Sequence, residues 1–128
     1  MNISAKKSVS LRNLKISISS FSENEHIISF TATKDCGLFQ GHFEGNPVFP
    51  AVGLLEIIER CIIEIFNEYV VINEIIDARF SKSIGLDENV DVFLNRQGEQ
   101  FSWSAKKKNT EVVFSKGVLT IKKAPISI

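Results

Sequence analysis

The stretch PAVGLLEIIERCIIEIFNEY, Pro50 to Tyr69, decides how the rest of the chain must fold. Val52, Leu55, Ile58, Ile62, Ile65 and Phe66 recur at helical spacing, and Leu54, Ile57, Cys61 and Ile63 broaden the apolar surface. One polar stripe is left, made of Glu56, Glu59, Arg60, Glu64, Asn67 and Glu68. A helix apolar on most of its sides is wrapped by other structure rather than laid on a surface. Pro50 suits its opening turn, where a missing N–H costs nothing.

The flanking sequence supplies the wrapping. Leu14, Ile16 and Ile18 alternate with Lys15, Ser17 and Ser19, and after a polar break at Ser22–Glu25 a second β-rich run covers His26 to Thr33, predicting a hairpin. Residues 35–50 hold Gly37, Gly41, Gly45, Pro47 and Pro50 among aromatic residues, the composition of an ordered functional loop. From Val71 to Lys123 the chain is rich in Val, Ile and Phe, with turns near 83–89, 96–100 and 107–110, which predicts three or four antiparallel strands. The expected architecture is α+β: one domain over residues 1–128, with a long central helix wrapped by a curved antiparallel sheet.

Composition narrows the function classes. The chain has 128 residues, 44% hydrophobic, with 15 basic against 15 acidic side chains. Zero formal charge is unlike a general nucleic-acid binder, no apolar run reaches the roughly 20 residues of a membrane span, and ten Phe residues supply too much burial for a disordered chain. Cys36 and Cys61 have no metal-type spacing and are expected to be reduced thiols; with His26 they make no credible metal site. The basic, Ser-rich start lacks the apolar core of a secretory signal, so a cytoplasmic location is expected.

Chemistry concentrates in GHFEGNPVFPAVGLLEI, Gly41 to Ile57. It places His42 in a Gly/Pro-constrained loop, Glu56 near the start of the helix, and between them a helix N-terminus whose N–H groups can hold developing negative charge. Such a set suits proton removal beside a carbonyl, with an acid to protonate a leaving group. The plainer reading makes His42 a structural or solvated loop residue and Glu56 a solvated carboxylate or a partner of Arg60 one turn later.

The same stretch resembles the signature of the β-hydroxyacyl-acyl-carrier-protein dehydratases, roughly FxGHFPGxPVxPGVLxxE. Phe39, Gly41, His42, Phe43, Gly45, Pro47, Val48, Pro50, Val52 and Glu56 match it without a gap, and IIDARFSKSIGLDENVDVFL (75–94) resembles the strand pair that follows the helix in that family. The resemblance implies a hot-dog fold, a dimer with its site at the subunit boundary, and no metal or other cofactor. It implies that His42 of one subunit takes the α-proton of a 3-hydroxyacyl thioester and Glu56 of the other protonates the departing hydroxyl. The thioester oxygen would face the backbone N–H of Ala51, and Phe43, Phe49 and Pro50 would line the acyl tunnel. The carrier would be an acidic acyl carrier protein, for which Lys106, Lys107 and Lys108 form a candidate rim; the plainer reading of that run is a solvated strand end.

Four departures make it a divergent member. Glu44 stands for the usual Pro and, if close, would favour a protonated His42. Ala51 replaces Gly, and Arg60 replaces Gln, where a cation beside Glu56 would favour the ionised carboxylate, although a general acid must hold its proton. Leu86-Asp87-Glu88 stands at a turn that is usually Pro-Gly-Asp. They point to a specialised pathway, such as polyene or other secondary lipid synthesis. The expected function is dehydration of acyl-carrier-linked 3-hydroxyacyl thioesters to trans-2-enoyl thioesters. The alternatives are a non-catalytic hot-dog subunit supporting an active partner, with heterodimers or higher oligomers in place of homodimers, and a hot-dog thioesterase that releases free thiol.

Overall fold

The computed structural model describes residues 5–39 and 48–125. The strands are β1 (Ala5–Leu11), β2 (Leu14–Ser20), β3 (Glu25–Thr31), β4 (Val48–Phe49), β5 (Val70–Phe80), β6 (Ile84–Gly85), β7 (Asn89–Gln97), β8 (Gln100–Lys107) and β9 (Val113–Lys123), with one helix, α1 (Ala51–Phe66). Seven strands form an antiparallel sheet in the order β1-β2-β3-β7-β8-β9-β5, and β4 pairs with β6 beside it. This is the hot-dog architecture.

Alternation sets which face of the sheet meets the helix. Ile16 and Ile18 of β2, Ile28 of β3, Val92 and Leu94 of β7, Phe101 and Trp103 of β8 and Leu119 of β9 are buried in one cluster with Leu54, Ile57, Ile58, Cys61 and Ile62 of α1. Each such side chain contributes about 1.5–3 kcal/mol of burial free energy, before conformational entropy opposes it. Leu55, Ile63, Ile65 and Phe66 of α1 are half-buried against the same cluster, and Val52 in the first turn stays 68% exposed. The helix stops at Phe66, short of Tyr69, because Asn67 adopts the left-handed conformation of a C-cap (φ 51°, ψ 45°).

The N-terminal segment adds a strand that its composition did not signal. Only Val9 of β1 is buried, so its basic, Ser-rich sequence lacks an apolar face to read. β1 joins β2 through Arg12 and Asn13, both at positive φ (49° and 63°), the geometry of a two-residue type I′ hairpin. The Leu86-Asp87-Glu88 turn needs neither Pro nor Gly: Asp87 adopts φ 64°, its N–H donates to the Ala32 carbonyl (2.8 Å), and Ala32 N–H donates back to Glu88 (2.9 Å).

Trp103 crosses the inner face between β8 and β9, and its indole N–H donates to Ser115 Oγ at 3.0 Å. Gly117, paired with Trp103 across the strands, makes room for the ring. A Cβ there would fall 2.2 Å from the indole and 2.6 Å from the Asp77 carbonyl, neither of which is a flexible side-chain end. G117A is therefore expected to lower unfolding stability by about 1–3 kcal/mol, the usual cost of overpacking. A urea melt with a midpoint equal to the parent's would refute this account of the position.

Candidate active site

Pairing of β4 with β6 brings Val48 and Phe49 to the start of α1. Pro50 is the N-cap residue in extended conformation (φ −75°, ψ 149°), and its carbonyl accepts from Gly53 N–H at 3.0 Å. Gly53 lets Phe49 and Leu38 lie on the first turn; a Cβ there would be 3.2 Å from both. The Phe49 ring meets Phe30 at 5.8 Å and Phe39 at 5.7 Å between centroids, so it is as much a core side chain as a wall. Phe49, Pro50 and Ala51 line one pocket of about 160 Å³ with Leu54, Phe80 and Phe114. Its volume falls short of the roughly 300 Å³ at which ligand pockets begin.

Glu56 lies five residues beyond Ala51, about 7.5 Å further along the helix axis. It is 38% exposed, and Arg12 Nε stands 3.0 Å from both of its carboxylate oxygens. Arg12 was not among the residues singled out from the sequence. It acts from the tip of the β1–β2 hairpin, which Asn13 fastens by donating to the Asp35 carbonyl (3.2 Å). The one available signal was the two-residue break Arg12-Asn13 between Leu11 and Leu14, which reads as a turn only if β1 is recognised as a strand. Arg60 turns the other way and pairs with Glu64 at 3.1 Å, so the cation facing Glu56 comes from β1–β2 and not from the next helical turn.

His42, Phe43 and Glu44 lie outside the described residues. Phe49, Pro50 and Ala51 are thus brought together, with Glu56 further along the same helix. Lys106 and Lys107 close β8, paired with Glu111 (3.3 Å) and Glu88 (3.9 Å), which makes this part of the basic run a neutralised strand end.

Residues 18–118 match the family model of the ApeI-like proteins, described as the ApeI dehydratase. The chain belongs to the ApeI-like dehydratase family. Its fold is shared with a chain of the dehydratase heterocomplex ApeI:P from Xenorhabdus doucetiae, at TM-score 0.73 and 12% identity over 93% of this chain and 99% of that one. An uncharacterised protein from Erwinia carotovora subsp. atroseptica superimposes at TM-score 0.66 with 18% identity, over 93% and 97% of the two chains. No curated protein matches the chain in sequence.

The other histidine of this ApeI-like chain has a structural setting. His26 is buried, edge-on to Phe66 at 5.5 Å between centroids. Nε2 lies 3.0 Å from the Glu23 carbonyl, which can only accept, so Nε2 carries the proton and Nδ1 accepts from the Ser20 hydroxyl at 2.7 Å. Burial lowers its pKa below 6.5, Arg96 adds to this, and the Glu23 hydrogen bond acts the other way. Cys61 is a buried free thiol raised to about 12, chiefly by burial, so it carries no thiolate to react.

The His26 shift has a definite sign. The unfolded imidazole takes up a proton near pH 6.5 while the folded one resists it, so the unfolded state binds more protons below that pH. Stability is expected to fall as pH drops from about 6.5 toward the lower folded value, and to be insensitive to this group above it. In H26Q that part of the fall disappears, as measured by denaturant melts between pH 8 and 5; parallel pH profiles for parent and variant would contradict it.

Proposed function

We propose that the chain dehydrates 3-hydroxyacyl thioesters, carried on an acyl carrier protein, to trans-2-enoyl thioesters, in a site completed by a second hot-dog subunit. His42 takes the α-proton, the Cβ–O bond breaks, and Glu56 gives its proton to the departing hydroxyl, which leaves as water. The electron pair of the broken C–H bond becomes the new double bond. The enolate-like thioester oxygen is held at the start of α1 by the N–H of Ala51. Phe43, Phe49 and Pro50 contact the acyl chain.

The observation that carries this reading is where the small pocket lies. It is walled by Phe80, which is 46% exposed on the edge strand β5, so the pocket reaches the open margin of the sheet. That margin also exposes Ile75 (44%) and Ile76 (53%). The opposite edge, β1, carries Lys6 and Lys7, the usual protection against strand addition. A subunit added along β5 would enlarge a pocket too small for an acyl chain and bring a second histidine loop toward Glu56. The Arg12–Glu56 contact does not block this. Its groups are 46% and 38% exposed, and such pairs contribute about 0–1 kcal/mol, so substrate or partner can displace it.

A supporting-subunit role is the second reading. It is favoured by that guanidinium on the proposed acid and by the heterocomplex in which the similar ApeI:P chain occurs. Following enoyl-thioester absorbance separates the two. Turnover by the purified chain should fall by about 10²-fold or more in H42A and in E56Q, the range for loss of an acid or base. Near-parental rates in both variants would remove the mechanism; an inactive parent revived by a second hot-dog protein would establish the supporting role. Assembly has its own check: I76D should convert dimers to monomers in sedimentation analysis and abolish turnover, whereas an intact I76D dimer would exclude β5 as the seam.

A further inference from the structure

The face of the sheet turned away from α1 carries two adjacent cross-strand rows of opposite charge. The first runs Ile27, Phe93, Ser104, Lys116 and Arg79, each residue directly opposite the next across β3, β7, β8, β9 and β5. The second runs Glu25, Asn95, Ser102, Val118 and Asp77 over the same strands. Lys116 and Arg79 make the first row basic, Glu25 and Asp77 make the second acidic, and among the described residues none of these four is in an ion pair. A groove of about 730 Å³ follows the rows, chiefly apolar where it is exposed, with Phe93 (42% exposed), Ile27, Phe21 and Val118 in its walls. Lys116 and Asp77 line it, and Arg79 stands beyond it, opposite Lys116.

That pattern is complementary to itself. A twofold axis in the plane of contact, parallel to the rows and midway between them, lays the basic row of one copy over the acidic row of the other. Arg79 then meets the partner's Asp77, and the reverse pair forms on the other side of the axis. Lys116 stands one strand away from the same carboxylate, and the two Phe93 rings flank the axis. The two rows, with one further row on each side, cover about 19 Å across the strands and about 20 Å along them, or about 400 Å². A standard interface takes about 800 Å² from each partner, so one chain presents half of what stable association needs. Two chains paired along β5 continue one sheet and present the face twice on the same side. Two such dimers laid back to back bury the full area through two linked contacts, which bind far more tightly than one.

We infer that this outer face is where a second β5-paired dimer of the same chain docks, sheet against sheet at the usual spacing of about 10 Å. Phe93 and Ile27 supply the apolar centre, and the reciprocal Arg79–Asp77 pairs fix the register. The inference rests on the β5 seam proposed above and not on the dehydration chemistry. Glu56 and the start of α1 lie on the opposite side of the sheet, so stacking leaves the proposed active site open.

The test is sedimentation equilibrium of the full chain from micromolar to submillimolar concentration. Dimers at the dilute end should become tetramers at the concentrated end. F93D puts a carboxylate in the apolar centre, away from β5, and should leave dimers throughout. R79D sets like charges against the partner's Asp77 and should weaken stacking at least tenfold. The double variant D77R/R79D exchanges the charges and should restore it, a recovery that mere damage to β5 would not give. All these positions are exposed, and circular dichroism checks that each variant folds. I76D, left with one contact per chain, should stay monomeric at micromolar concentration. A parent that never passes the dimer, an F93D chain that still forms tetramers, or a D77R/R79D chain no better than R79D would overturn the inference. A failed seam shows differently, as an I76D chain that remains dimeric, and would overturn the stacking of β5-paired dimers with it.

Discussion

The constraint on which the structure depends is that one stripe of α1 cannot face water. Leu54, Ile57, Ile58, Cys61 and Ile62 need an apolar concavity as long as the helix, and one flat hairpin cannot supply it. Antiparallel strands from both sides of the helix in sequence therefore close around it, with β3 meeting β7 across the insertion. Register shifts, the irregularities at which strands bend, fall in β5–β9 and β8–β9, and at Gly117 the strand lacks a side chain so that Trp103 can cross it. Packing, more than local propensity, settles the fold, as expected where most helix stability is tertiary.

This explains which parts were legible in sequence. The helix, the β2–β3 hairpin and the strands after residue 70 declare themselves because each buries one face and so carries a period. β1 does not, because it buries Val9 almost alone and is held by backbone pairing and by Lys7 donating to the Glu64 carbonyl (2.6 Å). With β1 unseen, Arg12 could not be placed, and Arg60 stood as the obvious cation for Glu56. Neighbours one helical turn apart are the easiest to foresee; a partner 44 residues away is visible only once the hairpin is folded.

The two sheet edges are not equivalent. Lysines guard β1, while β5 leaves eight successive residues exposed, Ile75, Ile76 and Phe80 among them. An edge of that length offers unpaired backbone groups to another strand, with the charges of Glu74, Asp77 and Arg79 set among its apolar residues. The exposed shoulder of α1 at Val52 makes the same point. The other large apolar residues of α1 are buried or half-buried within the one chain. Val52 directly follows Ala51, which with Phe49, Pro50 and Phe80 lines the small pocket.

The outer face shows the limit of linear reading from another side. In Ile27-Ile28 and Val92-Phe93-Leu94 consecutive apolar residues must point to opposite faces, so one member of each run is left outside. From sequence these runs look like ordinary buried strands. Only the register shows that the two outward members, Ile27 and Phe93, stand opposite each other, and that the same row ends in Lys116 and Arg79. A patch assembled from one residue per strand leaves no motif. The signature between Gly41 and Ile57 could therefore suggest the chemistry of one site and carry no information about the opposite face, whose residues are scattered from 27 to 116.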